Sequence, residues 1–369
     1  MEKKPLPELD RICAAFDCPG TWISSCPIPS GHINDTYCSE FQDSGKRVKY
    51  VNQRINHHVF REPEKLMENI ERVTRFAREQ ILSAGGDPER ETLTIVPTRE
   101  GRTFLRMPEG SYWRMFRYID GARTYDRVED IRHVYAASKA FGGFQKMLSR
   151  LPGGRLHETI PDFHHTRKRY AAFLDALEHD PVGRAAGVAP EIAFVKAREN
   201  DTGVVVDGLA GGRIPERVTH NDTKLNNVMI DDRTGRGICV IDLDTVMPGS
   251  VVYDFGDSVR LGAATAAEDE RDLAKVGFDL EMFDRLAAGY LDATRDFLVP
   301  AEAELLPFSA KLLTFECGIR FLTDHLKGDV YFKIHRPGHN LDRARTQFKM
   351  VAEMERRMGA MEEVVRKYL

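Results

Sequence analysis

The sequence predicts an α+β chain of two lobes: a small antiparallel β-sheet lobe with one main helix, then a larger, mostly helical lobe. Three observations predict it. Strand-like runs dominate roughly the first 120 residues. They are interrupted by one long segment of helical period after Pro63. From about residue 126 amphipathic helical patterns take over and persist to the C-terminus. The boundary falls near residue 120, at "YIDGARTYD", which divides the chain into lobes 1–120 and 121–369.

Each element follows in order. "PELDRICAAF" reads as a short helix closed by Pro19 and Gly20. "WISSCPIPSGHINDTYCSEF" reads as two strands around a Gly-centred turn, and "KRVKYVNQRIN" as a third strand with alternating Val48, Tyr50, Gln53 and Ile55. The main helix of the small lobe carries Leu66, Met67, Ile70, Val73, Phe76 and Ala77 at helical spacing. "TLTIVPTREGRTFLRM" and "SYWRMFRYID" supply two or three more strands. In the large lobe, "DRVEDIRHVYAASKAFGGFQKMLS" and "TRKRYAAFLDALEHD" are helices. Short β-like runs lie within residues 217–246, and three long helical stretches follow residue 260.

Composition narrows the function classes. The 369 residues are 42% apolar and 30% charged, which fits a folded chain with a sizeable core. Net charge is −4, with the signs mixed and no Lys/Arg block, so nucleic acid is not an expected partner. No apolar run approaches the length of a membrane span, and the N-terminus lacks the apolar stretch of a signal peptide. These features point to a cytoplasmic protein with no membrane partner. The six cysteines show no paired knuckle spacing, so reduced thiols filling the core are expected rather than zinc, with a redox pairing in the early cluster as the alternative.

The chemistry concentrates in "VTHNDTKLNNVMIDD", residues 218–232. His220, Asp222 and Asn227 stand at the His-x-Asp-x4-Asn spacing of a phosphoryl-transfer loop. Such a transfer needs a base for the acceptor hydroxyl, here Asp222, and an oxygen donor for Mg²⁺, here Asn227. About twenty residues on, the β-like run "ICVIDLDTV" ends at Asp242, which places a carboxylate at a strand tip as a second metal ligand. Asp244 is placed to assist or to hold a second ion. "YDFGD" spells a metal-binding Asp-Phe-Gly, yet no strand leads into it, so Asp254, with Asp257 and His220, is expected to brace the loop instead. An Asx-rich turn explains one or two of these asparagines, but not the spacing together with the strand-tip aspartate.

In the small lobe, Gly31 and Asn34 of "SGHINDTY" occupy the place of a phosphate-covering turn, although a plain hairpin turn explains the same residues. Arg54 stands where a strand cation would meet phosphates, and Glu68 of the following helix is its expected partner; a solvated Arg and a surface Glu explain them equally. The segment Tyr118–Gly121, with Tyr118 and Asp120, would offer its backbone to the nucleotide base. His157, His164 and His165 read as surface or loop histidines.

"HNDTKLNN", "VIDLDTVMPG" and "YDFGDSVR" resemble the aminoglycoside phosphotransferase and choline kinase group of small-molecule kinases. "GHIN", "RFLTDHLKGDVYFK" and "HNLDRARTQFKMVAEME" resemble the branch of that group that acts on N-acetylhexosamines, and the matching segments span residues 31 to about 357. The resemblance implies a protein-kinase-like fold, ATP as co-substrate, Mg²⁺ as cofactor, and phosphorylation of the anomeric hydroxyl of GlcNAc or GalNAc. It implies Asp222 as base, Asn227 and Asp242 as metal and phosphate ligands, and His32, Arg320 and Tyr331 near the sugar. A monomer or weak homodimer is expected. Two alternatives stay open: the same fold with an amino alcohol, amino acid or aminoglycoside acceptor, for which Asp324 and Asp329 would supply acidity, and a DxD-type glycosyltransferase built on Asp242 and Asp244.

Overall fold

The computed structural model describes residues 8–29, 33–126 and 130–369. Gly31 and His32 lie outside the described residues.

The N-terminal lobe is a five-stranded antiparallel sheet. Its strands are β1 (Thr21–Pro27), β2 (Asp35–Asp43), β3 (Lys46–Ile55), β4 (Leu105–Arg106) and β5 (Tyr112–Arg117), in the order β1-β2-β3-β5-β4. Alternation gives the sheet two faces. Phe41, Tyr50, Trp113 and Met115 pack outward against the short helix α1 (Leu9–Ala14). Ile55, Tyr112 and Phe116 pack inward against Leu66, Met67, Ile70 and Val73 of the helix α2 (Pro63–Ser83). Pro63 opens α2 at a position where its missing N–H costs nothing. A one-turn helix, α3 (Pro88–Glu91), follows. The run "TLTIVPT" joins the sheet only through an isolated bridge from Ile95 to Phe116, so it is not a full strand.

The chain enters the C-terminal lobe through β6 (Ala122–Arg123) and the helix α4 (Ile131–Leu148), which Asp130 caps by accepting from Arg132 N. Then come α5 (Thr166–His179), α6 (Ala189–Lys196), α7 (Val204–Ala210), β7 (Arg217–Thr219), β8 (Val228–Asp231), β9 (Gly237–Val240) and β10 (Met247–Gly249). The remainder is helical: α8 (Val251–Gly262), α9 (Leu280–Thr294), α10 (Pro300–Leu326), α11 (His339–Arg356) and α12 (Met358–Tyr368). The α2 core extends across the lobes to Phe141, Phe144, Val228, Val240 and Leu243. This continuous core sets the inner face of the sheet over the small ladders β6-β8-β9 and β7-β10.

"YDFGDSVR" forms the first turns of α8, not a loop. Phe255 packs on Phe283 and Tyr290 in the main helical core. Gly256 is there because a Cβ would lie 2.4 Å from Ser309 O of α10. Helix packing accounts for both residues of the Asp-Phe-Gly spelling that follow Asp254. Among the described residues no helix is long and apolar enough to cross a membrane.

Candidate active site

The loop between β7 and β8 is held from behind by one buried carboxylate. The main-chain N–H groups of His220 and Asn221 donate to Asp254 at 2.8 and 2.6 Å, and Gln145 Nε2 of α4 donates at 2.5 Å. Burial pushes the Asp254 carboxyl above its ordinary range, while neighbouring His220 and these donors act in the opposite direction. Asn221 has φ +64°, a left-handed conformation that asparagine accepts more readily than most residues. Its amide donates to Thr245 O at 2.9 Å and closes the loop from inside.

Asp257 continues the brace by accepting from Thr223 N at 3.1 Å and pairing with Arg260 at 2.9 Å. Burial opposes its charge, but the Arg260 guanidinium beside it brings the carboxyl below its ordinary value. His220 Nε2 faces the carbonyl of Ile241 at 2.9 Å, so Nε2 carries the proton. Nδ1 then accepts from Asp222 N at 3.3 Å. With its ring against Phe141, His220 shapes the loop rather than facing solvent.

This scaffold leaves the Asp222 carboxylate half-buried and accessible. Lys224 Nζ lies 2.9 Å from Asp222 Oδ2. The Asn227 amide donates to Asp222 O at 2.8 Å and to Asp222 Oδ2 at 3.1 Å. Those two acceptors fix the NH₂ end, so the Asn227 carbonyl oxygen is left to turn away toward a further partner. Asp242 follows β9 in a left-handed conformation, φ +59°. Burial, then the like charges of Asp244 and Asp222, push its carboxyl up to about 6, against Lys224 and Arg114.

The residues present fit a divalent cation. Carboxylate and amide oxygens are the donors a hard ion prefers, and the mutual repulsion at Asp242 is what such an ion would relieve. Among the described residues no three Asp, Glu, His or Cys side chains make a closed cage.

Several expected residues stand differently. Asp244 is not a free metal ligand: Arg114 Nη1 pairs with it at 2.5 Å and Asn34 Nδ2 donates to it at 2.6 Å. It lies in a single 3-10 turn, Leu243–Thr245, just beyond the strand tip, and through these contacts meets the sheet above. The Arg54–Glu68 pair is not formed. Arg54 stands on the outer face of the sheet and pairs with Asp35 directly opposite on β2, while Glu68 meets His157 Nε2 at 2.8 Å. A buried cation does point inward: Arg114 of β5, held by Gln53 at 3.0 Å. Its signal was an arginine at an inward position of "YWRMFR", where a buried charge requires a partner.

Two other residues escaped the sequence reading. Lys224 sits two residues past the base, on the same loop. His164, read as a surface histidine, is buried: Nδ1 contacts Glu316 Oε1 at 2.9 Å and Nε2 contacts Asn221 O at 3.3 Å. No local pattern announces it, because its partners lie 152 and 57 residues away.

At the lobe junction, Tyr118 N donates to Lys49 O at 3.2 Å. The carbonyl oxygens of Asp120 and Gly121 accept from Arg90, which also pairs with Asp231 at 2.9 Å. On α10, the Arg320 guanidinium stands between the rings of Phe163 and Phe332, at 5.7 and 5.5 Å. Tyr331 is exposed and touches Phe332 edge-on at 4.8 Å. Arg320 and Tyr331 thus meet through Phe332.

A braced loop with a half-buried aspartate, an amide and a strand-tip carboxylate, set beneath an antiparallel sheet, defines a two-lobed kinase-like fold. A family model described as the phosphotransferase enzyme family matches residues 25–297, and the chain belongs to that family. Solved structures share the fold at low identity. A microcompartment-associated aminopropanol kinase is 16% identical with a TM-score of 0.56, covering 96% of this chain and 98% of its own. Spectinomycin phosphotransferase in complex with ADP and spectinomycin is 10% identical with a TM-score of 0.59, covering 96% and 99%. Choline kinase from Cryptosporidium parvum Iowa II is 15% identical with a TM-score of 0.52, covering 95% and 96%.

Proposed function

We propose that the protein transfers the γ-phosphoryl group of ATP to the anomeric hydroxyl of an N-acetylhexosamine, giving the sugar 1-phosphate and ADP. Asp222 accepts the hydroxyl proton as the bond to phosphorus forms. Lys224 brings positive charge to the same point. Asn227 and Asp242 hold Mg²⁺, which supplies charge neutralisation on the phosphates. The base lies near Tyr118 and Asp120, and Asn34 belongs to the turn above the phosphates. Arg320 and Tyr331 approach the sugar.

One observation carries the choice of a neutral acceptor over a cationic one. The acids that would receive an ammonium group are already occupied. Asp324 accepts from the backbone of Val330, Tyr331 and Phe332 at 2.8–3.0 Å and from Asn340 at 2.8 Å. Asp329 pairs with Arg184 at 2.6 Å. What remains toward the loop is the Arg320 guanidinium between aromatic faces, a surface suited to hydroxyl and carbonyl oxygens. The test is ADP release with MgATP and a panel of GlcNAc, GalNAc, glucose, choline and an aminoglycoside, with phosphorus NMR on the product. An anomeric phosphate on an N-acetylhexosamine supports the reading. Turnover with choline or the aminoglycoside alone overturns the acceptor and keeps the kinase.

A further inference from the structure

Four of the six cysteines lie in the N-terminal lobe, and two of these face each other. Cys26 of β1 and Cys38 of β2 are direct partners in the antiparallel register. Ile28 N donates to Thr36 O at 2.8 Å two residues along, so the cysteines occupy a hydrogen-bonded site of the ladder. Such sites set Cα atoms about 5.5 Å apart, within the roughly 4.4–6.8 Å that a disulfide spans. Burial, then the neighbouring Cys26, holds the Cys38 thiol above its ordinary value. Cys26 is exposed and Cys38 half-buried, unlike Cys13, Cys18 and Cys239, which are buried.

The face they occupy follows from the register. Cys38 opposes Val51 of β3, and Val51 opposes Phe116 of β5. Two residues along, Gln53 and Arg114 oppose each other on the same side, and Arg114 reaches down to Asp244. Cys26 and Cys38 are therefore on the inner face, the side from which Arg114 reaches the C-terminal lobe. The outer face, with Tyr50 and Met115, is covered by α1.

We propose that Cys26 and Cys38 form a dithiol modification site in the roof of the nucleotide cleft, oxidised to a disulfide by a glutathione-type disulfide when the cleft is empty and shielded when it is filled. The Cys26 thiolate attacks one sulfur of the oxidant and releases one glutathione thiolate, forming a mixed disulfide. The Cys38 thiolate then attacks the Cys26 sulfur and releases the second. The two protein thiols give up two protons and two electrons, and the oxidised glutathione becomes two glutathione molecules. Cys26 attacks first because it is exposed. The shielding half of the proposal rests on the reading of this cleft as the ATP site.

The full-length protein is incubated with oxidised glutathione, with and without MgADP, and the thiols are then alkylated and mapped by mass spectrometry. ADP binding is measured separately by calorimetry on the reduced protein. Expected is a Cys26–Cys38 linked peptide, absent from Cys26→Ser and from Cys38→Ser. ADP at about ten times its Kd slows the linkage roughly tenfold, since only the empty fraction reacts. Glutathione adducts without the internal link overturn the dithiol site. A link that forms equally fast while ADP is bound overturns its place in the roof. Absence of ADP binding overturns the nucleotide reading and the shielding with it, while the peptide map still decides the disulfide.

Discussion

Arg114 and Asp244 form an ion pair of 2.5 Å across the two lobes, with side chains only 1% and 3% exposed. Asp244 also receives the amide of Asn34, so one carboxylate of the C-terminal lobe holds two points of the N-terminal sheet. The pair lies beside the strand-tip Asp242 and fixes how the sheet sits over it.

Breaking this pair from one side should be costly. Arg114→Ala leaves Asp244 buried and uncompensated, and a loss of about 3–5 kcal/mol in urea unfolding is expected. Arg114→Met with Asp244→Leu removes both charges and should recover most of that loss. The double-mutant cycle checks it. Additive losses would mean the two side chains do not act as a pair.

Asp222→Asn should lower kcat by about 10²–10⁴-fold, the usual worth of a general base, while ADP binding by calorimetry stays within a factor of about two. Lys224→Ala should also lower kcat, by less, because it removes charge but not the proton acceptor. Both side chains are partly exposed, so neither change should shift the melting temperature appreciably. A near-normal rate for Asp222→Asn would remove Asp222 from the chemistry.

The Asp242 carboxyl gives a pH signature to the metal-free protein. In the fold it holds its proton up to about 6, against a reference value of 3.8. Between those values the folded state binds more protons than the unfolded one, so this group makes stability fall as pH rises across the window. Asp257 and Glu316 act oppositely, since their carboxyls are lowered and their contributions vanish only in stronger acid. Asp242→Asn should flatten the wild-type decline in EDTA and raise the melting temperature at pH 7 by about 2–4 °C, as relief of about 1 kcal/mol would. It should also abolish the tightening of ADP binding by Mg²⁺. An unchanged pH profile would count against the convergence of charges at Asp242.

The sequence made legible what local period and fixed spacing encode. Alternation in "KRVKYVNQRIN" and the apolar stripe of residues 66–77 gave β3 and α2, and the His220–Asn227 spacing gave the loop. The standing of Asp254 was read from the lack of a strand-like run before it; the structure sets the three-residue strand β10 just ahead of α8, in whose first turn Asp254 lies. Pairings between distant segments were not. Nothing local names the partners: Arg54 pairs with exposed Asp35, and Arg114 with a residue 130 positions away in the other lobe. Glu68 looked available to Arg54 because both flank the same turn, yet its helix face turns it to His157.

His164 tests whether the site is positioned from the acceptor side. It joins Glu316 on α10, one turn before Arg320, to the carbonyl of Asn221, adjacent to Asp222. Its ring also lies against Phe163, which stacks on Arg320. A glutamine amide reaches about as far as Nε2 and can still donate to Asn221, whereas an asparagine amide mimics Nδ1 and serves only Glu316. His164→Gln should therefore keep most of kcat. His164→Asn should keep most of the thermal stability yet lose about tenfold or more in kcat, the scale on which small misplacements of a catalytic group are felt, with KM for ATP unchanged. Equal kcat losses in both variants, tracking their melting temperatures, would reduce His164 to a packing residue.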